Sequence, residues 1–378
     1  MYRRLLVFLR PHAWRMSATV ACNIGAALLD VFSRSGAGPV RDADLDAREQ
    51  ARTVAGAALV LLAMGPGDAA LKLDDTMAKT PRAVLGLLEP VWRKALEKAS
   101  ADEVELQRIA TDAGSNDKIA GWDWRYYQEK LRAEKFAFDE AELKPYLQLE
   151  NIIAACFDVA TRLFGITFQE VPNVPGWHPD VRTFKVLDAD GSELAIFLAD
   201  YFARPSKRSG AWMNAYVSQN GLTGDKPVVA NHLNIPKPPA GEPTLLTWDE
   251  VKTAFHEFGH ALHGIFSNVK YPRFAGTAVP RDFVEYPSQV NEMWRVWPEI
   301  LAHYAKHYQT GTPLPQALLD KVLATTKFNQ GFATTELVAA NVIDQAWHQL
   351  KPGEVPGAGS DFSGVLVATG VLKVKPAG

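Results

Sequence analysis

Apolar positions keep a helical period over two long regions of the chain and switch to alternation between them. From about Ala70 to Phe168, segments rich in Ala, Leu, Glu and Lys follow one another with apolar residues at helical spacing. In "YLQLENIIAACFDVATRLFG" (146–165) these residues fall on one helical face, and Gly165 stands where a C-cap belongs. The middle of the chain changes period. "TFKVLDADGSELAIFLADYF" (183–202) alternates around Asp-Ala-Asp-Gly, which predicts a hairpin. "KPVVANHLNIPKPP" (226–239) predicts one more short strand, stopped by prolines. Helical patterns return over 247–266, about 282–308, 315–326 and 332–350. The expected fold is mainly α with a small central β element, an α+β arrangement without internal repeats.

Three parts are expected along the chain: an N-terminal extension (1–69), a main domain (70–350) and a Gly/Pro-rich tail (351–378). The opening "MYRRLLVFLRPHAWRM" is basic, and "SATVACNIGAALLDVF" after it is mostly apolar but interrupted by Asn23 and Asp30. That run is short for a bilayer span of about 20 residues. Residues 1–33 resemble, over that stretch only, the start of the first membrane segment of an ABC exporter. They read as an amphipathic extension, with membrane contact as the alternative. Residues 34–56 read as a charged linker, and "AALVLLAM" (57–64) is too short to span a membrane. The last 28 residues hold six Gly and three Pro, which predicts a loose tail rather than a closing helix.

Composition narrows the function classes. Hydrophobic residues make up 47% of the 378 and charged residues 22%, as in a globular protein with a real core. A net charge of −3, with no dense Lys/Arg cluster interleaved with aromatics, argues against a nucleic-acid surface. Only Cys22 and Cys156 occur, without C-x-x-C spacing, so neither a disulfide framework nor a cysteine zinc site is expected. Cys156 reads as a packed helix residue, and two unpaired thiols suit a reducing, cytoplasmic setting.

The chemistry concentrates in "FHEFGHALHGIF" (255–266). Thr247-Trp-Asp-Glu250 reads as a capping box opening the helix that carries it. His256 and His260 are four apart and project from one face on successive turns. Zinc takes neutral imidazole nitrogens and wants a third protein ligand plus one open position. Glu257 lies beside the ligand face, where a carboxylate could deprotonate a metal-bound water whose pKa is about 7. His263, three residues on, reads as a packing or rim residue. For the third ligand, Glu285, Asp282 and Glu292 compete on spacing alone.

"FHEFGHALHGIF" followed by "RDFVEYPSQVNEMW" (281–294) resembles the thimet oligopeptidase and peptidyl-dipeptidase family of zinc metallopeptidases. Supporting phrases are "LDDTMAKTP" (73–81), "WDWRYY" (122–127), "ELKPYLQLENII" (142–153), "GWHPDVRTFKV" (176–186), "ARPSKRSGAWM" (203–213) and "FNQGFATTE" (328–336). The resemblance covers about residues 70 to 350. It implies a zincin-like catalytic domain holding one zinc ion per chain through His256, His260 and Glu285, with Glu257 as general base. It also implies hydrolysis of short peptides by a metal-activated water, without a covalent intermediate.

The same resemblance raises a second expectation. Family members carry a helical N-terminal half that walls a channel, and a late segment rich in His, Gly and Tyr that contacts substrate and the oxyanion. After Leu350 this chain has no tyrosine or histidine. The competing reading is therefore a truncated chain that binds zinc and turns over little. Glu292 is a candidate partner for the far nitrogen of a ligand histidine. The hairpin and the "VVANHL" strand are candidates to hold a peptide by strand addition. His178 and His232 read as structural, and Trp122, Trp124, Tyr126 and Tyr127 as core.

Overall fold

The computed structural model describes residues 78–136, 140–172, 174 and 176–350, so the readings of 1–69 and of the tail fall outside the described residues. In chain order the helices are α1 (Pro81–Asp112), α2 (Trp124–Phe136), α3 (Leu149–Phe164), α4 (Trp248–Ile265), α5 (Arg281–Val284), α6 (Tyr286–Glu292), α7 (Pro298–Tyr304), α8 (Gln316–Thr325) and α9 (Gln330–His348). The strands are β1 (Thr167–Glu170), β2 (Arg182–Leu187), β3 (Glu193–Phe202), β4 (Trp212–Val217) and β5 (Val228–Ile235). The chain divides into two compact units: residues 140–320, and residues 78–136 together with 321–350.

The second unit is helical. Thr80 caps α1 by accepting from the Ala83 N–H, and Pro81 takes the first helical position, where its missing N–H costs nothing. Leu106, Ile109 and Ala110 of α1 meet Trp124 and Leu131 of α2, with Phe328 and Phe332 packed on them. Trp124 stacks on Phe332 at 4.3 Å and donates its indole N–H to Asn329 Oδ1 at 2.8 Å. The expectation that the whole "WDWRYY" phrase is core is corrected here: Trp122 and Tyr126 are exposed. Tyr126 lies two residues past Trp124, on nearly the opposite side of α2, where Lys130 covers its ring. Trp122 sits in the turn before the helix begins.

The first unit is built on a five-stranded sheet of order β1-β2-β3-β5-β4. The predicted hairpin is β2–β3, closed by a turn in which Gly191 takes φ +82°. β5 runs parallel to β3, and β4 runs antiparallel along the other side of β5. On one face of the sheet Phe197 of β3 meets Phe258 of α4 edge-on, and Phe157 of α3 packs beside both. Gly165 ends α3 with φ +78°, as expected.

Two features depart from the sequence reading. β4 escaped it because its side chains are exposed from Asn214 to Val217, so no buried alternation marks it. The single helix expected over 282–308 is broken into α5, α6, a 3-10 turn at Met293–Val296 and α7. Pro287 and Pro298 each sit in the first turn of a new helix, because proline cannot donate into a preceding one. Among the described residues no helix is long and apolar enough to cross a membrane.

Candidate metal centre

Helix α4 begins at the capping box read from sequence. Thr247 Oγ1 accepts from the Glu250 N–H at 3.1 Å, and Glu250 Oε2 accepts from the Thr247 N–H at 2.7 Å. The buried side of the helix carries Val251, Phe255, Phe258 and Leu262. His256 and His260 project from it on successive turns with ring centroids 4.8 Å apart, and Glu257 between them is buried.

Glu285 arrives from the junction of α5 and α6. Its Oε2 lies 3.2 Å from His256 Nε2 and 3.1 Å from His260 Nε2. Ser288 steadies the carboxylate by donating to Oε2 at 3.1 Å and to the Glu285 carbonyl at 2.8 Å. One ligand atom from each of His256, His260 and Glu285 fits within a 4.8 Å span. Donors on a tetrahedral zinc, with bonds of roughly 2.0–2.1 Å, stand about 3.3 Å apart. The two oxygen-to-nitrogen spacings, 3.1 and 3.2 Å, match that figure, and the mixed N/O set suits zinc chemically. Of the competitors for the third position, Asp282 is outside this group and Glu292 stands behind it. Glu292 Oε1 accepts from His256 Nδ1 at 2.7 Å, and Lys252 Nζ lies 3.7 Å from its other oxygen.

Electrostatics couple the three groups. Burial works against a proton on His256, but hydrogen bonds to Glu285 and Glu292 outweigh it and lift the imidazole to about 10 without a metal. Burial likewise opposes ionisation of Glu285, and the two histidines overcome it, holding the carboxyl far below its usual range. His263 shows the opposite behaviour. Burial, and then the neighbouring His260, lower its pKa, and its ring faces Phe283, so it stays apart from the three-residue group.

Sequence reasoning missed two buried amides that grip α4 from opposite sides. Asn231 of β5 donates to the Glu257 carbonyl at 2.6 Å, and Asn291 of α6 donates to the Phe255 carbonyl at 2.6 Å. An asparagine in a strand and another in a helix carry no motif of their own, so no pattern in the chain announces them. It missed a second charged cluster as well. Asp200 is fully buried and accepts from Arg204 at 2.6 and 2.8 Å, from Trp177 Nε1 at 3.0 Å and from His232 Nδ1 at 3.1 Å. Lys207 caps the carbonyls of Asp200, Phe202 and Leu233, so this cluster ties the strand ends together. His232 has the structural place expected of it. The "VVANHL" strand, by contrast, is interior: β5 is paired with β3 on one side and β4 on the other, so it has no edge for strand addition. The hairpin strands are likewise paired on both sides.

A model of the family described as Peptidase family M3 matches residues 66–363. The dipeptidyl carboxypeptidase of Escherichia coli (strain K12) is 44% identical over 298 residues, which is 79% of this chain and 44% of that protein. The dipeptidyl carboxypeptidase of Salmonella typhimurium is 41% identical over the same shares. Oligopeptidase A of Escherichia coli (strain K12) is 38% identical over 260 residues, 68% of this chain and 38% of that protein. The chain thus spans less than half the length of these relatives.

Proposed function

The chain belongs to peptidase family M3, and from that premise we propose that it is a zinc-dependent peptidase acting on short peptides. The observation that carries the reading is the position of Glu285 Oε2, within 3.2 Å of the Nε2 atoms of both His256 and His260. In this reading His256, His260 and Glu285 hold one zinc ion in a zincin-like domain. Zinc, when bound, supplies Lewis acidity for the scissile carbonyl and a water whose pKa is about 7. Glu257, buried next to His256, takes the proton of the attacking water and passes it to the leaving amine. Glu292 keeps His256 oriented with Nε2 toward the ligand group.

Substrate class is inferred from the relatives, whose names are dipeptidyl carboxypeptidase and oligopeptidase A. An extended peptide is held by adding to β4, whose outer edge pairs with no strand among the described residues. β4 lies under α4, with Met213 against Gly264, so a peptide on that edge runs beside the metal helix. A cytoplasmic setting belongs to the same proposal, and the buried, unpaired Cys156 suits it.

The test is hydrolysis of a short quenched-fluorescent peptide by the zinc-loaded chain, beside Glu257→Gln and a chelated control. Turnover in the first sample that disappears in both others supports the proposal. A folded sample with about one zinc per chain and no turnover would refute the peptidase reading and leave a metal-binding chain.

A further inference from the structure

The two ligand histidines are supported unequally. His256 has Glu292 at its Nδ1, whereas His260 Nδ1 is buried and meets no hydrogen-bond partner among the described residues. When Nε2 of a neutral imidazole faces a metal, the proton sits on Nδ1 and needs an acceptor, because an unpaired buried donor is costly.

A matching orphan lies in the same interface. Asn231 is 1% exposed, and while its amide N–H donates to the Glu257 carbonyl, its Oδ1 is enclosed and receives no donor. Glu257, His260 and Gly264 form one stripe of α4, spaced three and four residues apart. β5 touches that stripe at both ends. Asn231 reaches Glu257, and a Cβ on Gly264 would lie 2.9 Å from Val229 Cγ1. Val229 and Asn231 are two apart on β5 and share a sheet face, so His260 is bracketed between two contacts made by one strand.

We propose that Asn231 is a positioning residue for His260: its Oδ1 accepts the Nδ1–H through one enclosed water. The amide does two things at once, fixing the height of α4 through the Glu257 carbonyl and the tautomer of His260 through its oxygen. A neutral acceptor also suits the place. Glu257, Glu285 and Glu292 already bring three carboxylates to a centre that would hold a dication. The inference rests on the zinc reading above.

The experiment uses the zinc-loaded full chain and compares Asn231→Ala and Asn231→Asp with wild type, by long-range proton–nitrogen NMR of the imidazoles and by zinc competition with a chromophoric chelator. Wild type is expected to show slowly exchanging Nδ1–H signals for both His256 and His260. Asn231→Ala should lose protection of the His260 signal alone and bind zinc about 10–100-fold more weakly. Asn231→Asp keeps an acceptor but has no N–H for the Glu257 carbonyl, so it should keep the His260 signal protected. A residue that merely clamps the helix predicts otherwise: both variants would lower thermal stability, and the His260 proton would exchange as in wild type. Unchanged His260 exchange in Asn231→Ala, or loss of its protection in Asn231→Asp, overturns the proposal. Where the alanine variant does not fold, the aspartate variant decides alone. If wild type takes up no zinc, the parent reading fails in the binding arm, and the role of Asn231 falls with it.

Discussion

A Cβ placed on Gly259 would lie 2.6 Å from the Cα of Ser288, so glycine at that position sets how closely α6 approaches α4. The same Cβ would meet the Asn291 side chain at 2.8 Å and the Pro287 carbonyl at 2.9 Å. Backbone cannot step aside as a flexible side chain can. Gly259→Ala should therefore push α6 outward, cost about 1–3 kcal/mol of stability, and withdraw Glu285 from the histidines. Thermal unfolding together with zinc stoichiometry checks this. A variant that still binds one zinc with wild-type affinity would show that the close approach is not what delivers Glu285.

Glu292 grips His256 from behind, and its removal should be read first in metal affinity. Glu292→Ala is expected to weaken zinc binding about 10–100-fold. Glu292→Gln keeps an oxygen at Nδ1 and should fall between the two. Chelator competition at fixed pH measures all three, and equal affinities would reduce Glu292 to a packing residue.

Under the proposed zinc reading, added zinc should stabilise the folded chain. Metal that binds only the folded chain adds about 2.7 kcal/mol when free zinc is 100 times its Kd. Chelation should accordingly lower the unfolding temperature, and added zinc should restore it. Glu285→Ala should show a smaller zinc-dependent rise. If its rise equals that of wild type, the ion binds elsewhere.

The Asp200 cluster predicts an acid limit that has nothing to do with the metal. Burial opposes ionisation of Asp200, but hydrogen bonds from Arg204 and Trp177 and the charge of Lys207 hold its pKa well below the usual carboxylate range. Its contribution is therefore fully present above the unfolded pKa of about 4 and is lost as pH falls toward the depressed native value. Asp200→Asn leaves buried Lys207 and Arg204 uncompensated and should cost about 3–5 kcal/mol near neutral pH. Urea unfolding at pH 6, 4 and 3 tests both parts. Wild type should lose stability between the last two points, and the gap to the variant should narrow there.

His232 adds a milder step in the same direction. Burial lowers its pKa, with Asp200 pulling the other way, so the unfolded chain takes the proton first on acidification. Stability from this group is present above the unfolded value of about 6.5 and declines below it. His232→Gln should flatten the stability profile between pH 7 and 5, measured by the same unfolding series; an unchanged slope would mean the ring titrates alike in both states.

Much of this protein is local, and what is local could be read along the chain. The capping box at Thr247–Glu250, the pairing of His256 with His260 one turn on, the hairpin around Gly191 and the Gly165 cap each depend on residues within a few positions of one another. Helical and strand periods express the same short-range geometry, so the mixture of helices and a small sheet was legible too. Tertiary structure decided everything that depends on what comes alongside. Spacing could not choose among Asp282, Glu285 and Glu292, because the choice depends on the angle at which α6 crosses α4, and Gly259 permits that angle only against Ser288. β4 became an edge through pairing with β5, which a six-residue stretch exposed over its last four positions does not announce. Asn231 and Asn291 gained their meaning from the carbonyls they reach, 26 and 36 residues away in the chain. Sequence specifies the donors of this centre; only packing specifies which of them meet, because long-range approach is set by the shapes of surfaces that adjacent residues do not share.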